Sequence, residues 1–335
     1  MKNTQKKILG CLYGQAIGDA MGMPSELLPR YRLHELFGEI TGFLPGHAKN
    51  PASSHLKRGE FTDDTHQAIA LIKAITECNG EIVPTIIAQH ILHWAQTNDA
   101  FNTLGPTSKH TLLSLQKGEA LENIKANGVT NGAAMRISPV GCLLSSNNPS
   151  FIDGVAQACY ATHKSDIAIA GAAVIAKAIS RIIDGYSWQE IKPELLVIAH
   201  DVQTKYRSTF SPSLSLRIKY AFEVAQQLKN KPKDLALNEL YNIIGAGMDT
   251  IESVPTALAI VDITLEDPMM TALYCANLGG DTDTIGAIAT AICGTIHGID
   301  AFPPEAIQLI NDTNKINFAD MANSLTQLRF KIGTV

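Results

Sequence analysis

Apolar residues recur at helical spacing along nearly the whole chain. Ile8, Leu12 and Ala16, in one run with Gln15 and Asp19, mark a first helix. Ala68, Ile69, Ile72 and Ile75 mark another, which Asn79-Gly80 would end because both residues tolerate the left-handed turn that closes helices. The same spacing predicts helices over 86–96, with Pro84 near the start, and over 107–117, 152–162, 167–184, 213–229, 235–246, 255–261, 268–278 and 282–297. No sustained period-two alternation signals a half-buried strand. The pattern predicts an all-α protein without a substantial sheet. Residues 42–59 (GFLPGHAKNPASSHLKRG) break it. Rich in Gly, Pro and Ser, they read as a surface loop too polar to pack, and so long a loop inside a compact domain is usually functional. No composition break, low-complexity tract or internal repeat divides the chain, so residues 1–335 are expected to form a single domain.

Composition narrows this picture. A length of 335 residues is ample for a sizeable core, and aromatics at 6% beside abundant Ala, Ile and Leu suit close-packed helices. The formal net charge is −5 and no basic run exceeds a few residues, which argues against nucleic acid as a partner. No apolar run is long enough to span a bilayer, so no membrane association is expected. The Lys-rich start resembles a signal-peptide n-region only superficially, since Gln15 and Asp19 interrupt the apolar stretch behind it and no cleavage pattern is present. Cys11, Cys78, Cys142, Cys159, Cys275 and Cys293 form no CxxC pair. In apolar or small-residue stretches they read as buried free thiols of a reducing, cytoplasmic environment.

Two short acidic segments carry the candidate chemistry. One is Phe61-Thr62-Asp63-Asp64-Thr65 and the other Gly279-Gly280-Asp281-Thr282-Asp283-Thr284. Each stands at the start of an apolar helix, where Asp and Thr are ordinary caps and acids complement the helix dipole. A cap needs one side-chain oxygen, however, and each segment offers two carboxylates and two hydroxyls. The glycines before the second segment suggest a backbone squeezed close to a neighbour. If the helix starts converge, the carboxylates would repel one another unless cations lie between them. An all-oxygen set of Asp and Thr suits Mg²⁺ or Mn²⁺ rather than Zn²⁺. His66 stays outside that set as an isolated helix-face histidine.

The two segments, as TDDT and GGDTDTIGAIATAICG, resemble the ADP-ribosylglycohydrolase family. Further landmarks occur in order: Gly18-Asp19-Ala20-Met21-Gly22 ending at Glu26, Asn131-Gly132-Ala133-Ala134-Met135-Arg136, Thr162-His163, and Glu252-Ser253-Val254-Pro255. The resemblance covers roughly residues 8–298. It implies a single-domain helical bundle with a dinuclear Mg²⁺ or Mn²⁺ centre at the bottom of a cleft. Thr62, Asp63 and Asp64 would hold one ion and Asp281, Asp283 and Thr284 the other, with Asp283 bridging. Glu26 and Asp63 would be the catalytic carboxylates, and Asn131, Gly132, Ala133, Ala134, Met135 and His163 would contact substrate. Arg136 could pair with a pyrophosphate or form a structural salt bridge, and Glu252 is taken as a capping acid.

The implied activity is hydrolysis of the C1″ N- or O-glycosidic bond of ADP-ribose conjugates, on a protein or a small molecule. A nucleosidase with the same site is the alternative. A two-metal phosphoesterase and a non-catalytic crystallin-like relative stand further off. Residues 42–59 and 102–110 match no pattern tied to a leaving group and are expected to line the acceptor side of the cleft. The leaving group stays open: an arginine, a serine, a nucleobase, a phosphate or a free nucleoside.

Overall fold

The computed structural model describes residues 1–264 and 267–333, and their ordered elements are helices. In chain order these are α1 (Lys2–Gly22), α2 (Arg30–Phe37), α3 (Asp63–Glu77), α4 (Pro84–Thr97), α5 (Pro106–Gln116), α6 (Ser138–Leu143), α7 (Phe151–Tyr160) and α8 (Asp166–Ile183). Then come α9 (Trp188–Lys205), α10 (Leu214–Leu228), α11 (Lys233–Glu239), α12 (Thr250–Thr264), α13 (Pro268–Ala276), α14 (Thr282–His297), α15 (Pro304–Asn314) and α16 (Ala319–Gly333). Among the described residues the only β pairing is two isolated bridges, Leu28 with Gly280 and Thr130 with Asp249. The buried apolar side chains make one contiguous core. No helix among the described residues is long and apolar enough to cross a membrane.

The centre of the fold is an antiparallel pair, α1 against α14. Gly10, Gly14, Gly18 and Gly22 recur every fourth residue on α1 and so share one face of that helix. A Cβ on them would lie 2.0–2.3 Å from the carbonyl oxygens of Gly294, Thr290, Gly286 and Thr282. Backbone therefore meets backbone along the whole crossing, and only glycine leaves the room. This contact sets the start of α14 beside the end of α1. Buried faces of α8, α12, α13 and α16 close around the pair.

Several expectations are corrected. Helices α2, α9, α15 and α16 were not anticipated, although α9 opens with a complete Ser187–Glu190 capping box. Helix α12 begins at Thr250, five residues ahead of the predicted start at Pro255, which it carries internally. The segment expected over 235–246 is α11 and then a π-turn, Leu240–Ile244. Cys78 is half-buried, whereas the other five thiols are buried. The loop 42–59 is not wholly superficial: Asn50 and Ser53 are buried. Polar character did not keep them out, because Asn50 Nδ2 donates to the carbonyls of Pro24 and Glu26 at 3.1 and 2.9 Å.

Candidate active site

The two acidic segments meet. Thr62, the N-cap of α3, lies with its Oγ1 3.3 Å from Asp283 Oδ2 and 3.4 Å from Asp64 Oδ2. The Thr284 hydroxyl reaches both Asp64 and Asp281. Thr62, Asp63, Asp64, Asp281, Asp283, Thr284 and Glu26 all line one cleft of about 810 Å³.

Capping does not use up these acids. The first amides of α3 are taken by other groups: Asp64 N–H by Thr62 Oγ1, and Thr65 N–H by Asp19 Oδ2 at 3.1 Å. Asp19 reaches across from α1, accepts also from the Thr62 amide at 2.9 Å and the Thr65 hydroxyl at 2.6 Å, and so anchors α3 to α1. Asp281 occupies the N-cap position of α14, yet its side chain makes no cap bond. Its Oδ2 accepts from Asn131 Nδ2 at 2.6 Å instead. Asp64 Oδ1 and Asp283 Oδ1 are buried with no hydrogen-bond partner among the described residues. Two buried carboxylate oxygens are therefore left over with no protein donor.

The glycines that precede Asp281 are squeezed against protein. Gly280 has φ +78°, and a Cβ there would lie 2.1 Å from Ala246 O; Gly279 has φ +84° and abuts the backbone of Arg30. Asp281 N–H donates to the same Ala246 carbonyl at 2.7 Å. Leu27 and Leu28 pair with Gly280 through two backbone hydrogen bonds of 2.7 and 2.8 Å, so Glu26 is carried on a segment tied to the start of α14. Leu27 accepts a left-handed φ of +57° in that arrangement.

Burial raises every one of these acids. Glu26 is pushed up to about 8, by desolvation and then by the charges of Asp281, Asp63 and Asp19. Asp63 rises to about 7 from desolvation and the charge of Asp19, against the hydrogen bond from Gln67. Asp281 and Asp19 rise to about 6, and Asp64 and Asp283 go well above the carboxylate range, all mainly through burial. No Lys or Arg lies among the described residues that line the cleft. Compensating charge must come from protons or from added cations. No three His, Cys, Asp or Glu side chains among the described residues are already grouped as around a metal ion.

Of the expected substrate contacts, Asn131, Gly132, Met135 and His163 line the cleft, whereas Ala133 and Ala134 are buried in the core. Asn131–Ala133 form a short 3₁₀ turn whose Gly132 carbonyl accepts from Arg136 Nη1 at 2.9 Å. Arg136 is fully buried and also donates to Gln67 Oε1 at 2.9 Å, while Gln67 Nε2 donates to Asp63 Oδ2 at 2.8 Å. It forms no ion pair among the described residues, and it props the turn and Asp63 from behind. His163 is fixed by Thr130 and Thr162, at 3.0 Å from Nε2 and 2.8 Å from Nδ1. Burial and the Arg136 charge push it down to about 3, so the ring is neutral. Glu252, in the first turn of α12, accepts from the Gly247 amide at 2.8 Å and so ties down the segment ahead of the helix, where it was expected to cap the helix itself.

Both unassigned segments reach the cleft, residues 42–59 through Pro51, Ala52, His55 and Leu56, and residues 102–110, which run into the start of α5, through Thr103, Leu104, Gly105, Pro106 and Ser108. Sequence reasoning passed over Asp19 as an anchor and the wall formed by Phe61, His66 and Trp94.

The sequence pattern of the ADP-ribosylglycohydrolase family matches residues 1–332. The chain belongs to the ADP-ribosylglycohydrolase family. It is 50% identical over 327 residues to the uncharacterized protein YegU of Escherichia coli K12, covering 97% of each chain. The ADP-ribosylhydrolase ARH3 of Gallus gallus is 27% identical, with 95% of this chain and 92% of that one covered. The ADP-ribosylarginine hydrolase Tri1 of Serratia proteamaculans is 26% identical, with 94% and 78% covered. Among solved structures, a chain of an ADP-ribosylglycohydrolase-related protein complex shares the fold, with TM-score 0.72, 21% identity, and 98% of this chain and 100% of that one covered. Of the landmarks shared with the family, Glu26, the four acids of the two acidic segments with Thr62 and Thr284, Asn131, Gly132, Met135 and His163 line the cleft, whereas Arg136, Thr162 and residues 252–255 do not.

Proposed function

We propose that this chain is a Mg²⁺- or Mn²⁺-dependent glycosidase that hydrolyses the C1″ N- or O-glycosidic bond of ADP-ribose conjugates. One observation carries the reading: acids 220 residues apart share a cleft with no Lys or Arg among its described lining residues, and Asp64 Oδ1 and Asp283 Oδ1 are buried and unpartnered there. An all-oxygen donor set of that kind fits hard divalent cations. Thr62, Asp63 and Asp64 would hold one ion and Asp281, Asp283 and Thr284 the other, with Asp283 shared. Bound there, two such ions supply a grip for a vicinal diol and acidify a water.

The chain's own residues do the rest. Glu26, on its tethered segment, sits where it can hold a proton or orient a water against the sugar. Gln67 and Arg136 fix Asp63, and Asn131 fixes Asp281. The neutral His163 and the Gly132 turn offer an uncharged wall to the sugar–phosphate chain. The names of the relatives ARH3 and Tri1 support ADP-ribose as the glycosyl part. Six free thiols fit a reducing cytoplasm.

The test is a hydrolysis screen of ADP-ribosylated proteins, small ADP-ribose conjugates and nucleosides, in EDTA and then with Mg²⁺ or Mn²⁺. Metal-dependent release of free ADP-ribose is expected. Release of AMP would replace the reading with a phosphoesterase, and equal rates in EDTA would remove the metal from it.

A further inference from the structure

One wall of the cleft is aromatic and does no work in the acid cluster. His66 and Trp94 are stacked, with ring centroids 5.1 Å apart and planes 23° from parallel, and Phe61 meets His66 edge-on at 4.8 Å. All three line the cleft: His66 about one helical turn along α3 from Asp63, Phe61 just ahead of α3, and Trp94 on α4.

Packing α3 on α4 does not explain these rings. Ile87, Ile91 and Ala95 already bury the inner face of α4, and Trp94 is only half-buried beside them. An indole is also a poor filler here, because its Nε1 is shielded from solvent with no acceptor among the described residues. A buried N–H without a partner costs free energy that Phe or Leu would avoid. What Trp94 and His66 add is flat π surface facing the cleft. Among the described residues no Lys or Arg lines the cleft at this wall to grip a phosphate, Lys73 acting on His66 from outside it, whereas Asn98 and Asp99 at its edge offer hydrogen-bonding groups.

We propose that the Phe61–His66–Trp94 wall is the subsite for a purine or pyrimidine ring of the substrate. The ring stacks on the wall and turns its polar edge to Asn98 and Asp99. The proposal rests on the glycosidase reading for the bond that is cut, though not for the binding itself. One chemistry has two sources: a nucleobase that leaves with the cut bond, or the adenine of ADP-ribose.

The chain has two tryptophans, and Trp188 is buried in the core with its Nε1 on Asp262 at 3.0 Å. Tryptophan fluorescence of the full-length protein therefore reports on Trp94 through any ligand-dependent change. Adenosine, inosine, uridine and ADP-ribose are titrated in EDTA and in Mg²⁺, beside ribose and ribose 5-phosphate as base-free controls. Saturable quenching by base-bearing ligands alone is expected, lost in Trp94→Leu and kept in Glu26→Gln. By isothermal titration calorimetry, which needs no fluorophore, Trp94→Leu, with its fold checked by circular dichroism and the remaining Trp188 emission, should bind base-bearing ligands about tenfold more weakly.

The sources separate by kinetics. If the base leaves, Trp94→Leu raises KM for nucleosides and spares conjugates of ADP-ribose with a non-aromatic group; if the ring is adenine, KM rises for those conjugates. Quenching equal for ribose and adenosine, or unchanged affinity in Trp94→Leu, would overturn the proposal. Quenching without hydrolysis of any substrate would leave the subsite standing and defeat the glycosidase reading alone.

Discussion

Glu26 and Asp283 stand in the same cleft yet are built for different work. Asp283 is buried, with Oδ1 unpartnered and Oδ2 3.3 Å from Thr62 Oγ1, so it belongs to the floor where cations would lie. Glu26 is half-buried on a segment held by Gly280 and by Asn50. Replacing Glu26 with Gln keeps shape and removes the ionisable proton. Turnover should fall by roughly 10²–10⁴-fold while divalent-ion binding by calorimetry persists, the range expected for a general acid or base. Normal turnover in Glu26→Gln would take it out of the mechanism. Asp19 belongs to a third kind. It anchors α3 through three hydrogen bonds. Nothing in the GDAMG string separates that role from a ligand's, because the pairing with Thr62 and Thr65 exists only once α1 and α3 are side by side.

At the scale of elements, α1 and α14 decide where the acids go. Gly18→Ala would put a Cβ 2.0 Å from Gly286 O, backbone against backbone, so neither helix can yield cheaply. The gain in helix propensity, about 1 kcal/mol, is smaller than the cost of forcing two packed backbones apart, about 1–3 kcal/mol or more. A net loss of stability is expected by chemical denaturation. Gly42→Ala, whose Cβ would meet nothing within 4 Å, should be near neutral and serves as the control. Equal stability of the two variants would mean that the crossing is looser than described.

Helices with strong apolar period, such as α3, α8 and α14, were legible in the sequence. So were the acid segments, through excess oxygens that no cap requires. Helices α15 and α16 were not foreseen, and neither was α9, with Pro193 inside it. The four-residue glycine stripe of α1 was visible but carries no meaning until a partner backbone is known. Convergence across 220 residues was inferred from charge and resemblance, since spacing in sequence does not encode it.

The whole molecule holds a buried acidic floor whose charge must respond to pH. Glu26 and Asp63 stand at about 8 and about 7 when folded, against about 4 in an open chain. The native state therefore binds more protons than the unfolded one between those values, and stability falls as pH rises through them. His163 and His66, pushed down to about 3 and about 4, act oppositely, but only below about pH 6.5. Between pH 6.5 and 8 those two histidines no longer oppose the acids. In EDTA, Tm should fall across that window, on the order of a few degrees. Added Mg²⁺ should restore it most at the upper end, since metal and protons compete for the same oxygens. A Tm that rises from pH 6.5 to 8 in EDTA would contradict the burial of these acids.

The most direct test of the central claim is calorimetric titration of Mn²⁺ into the wild-type protein and Asp283→Ala, with release of ADP-ribose measured on the same samples. The account predicts saturable binding of two ions to the wild type, and loss of at least one of them together with activity in the variant. Full metal affinity and full activity in Asp283→Ala, with the fold intact, would contradict it.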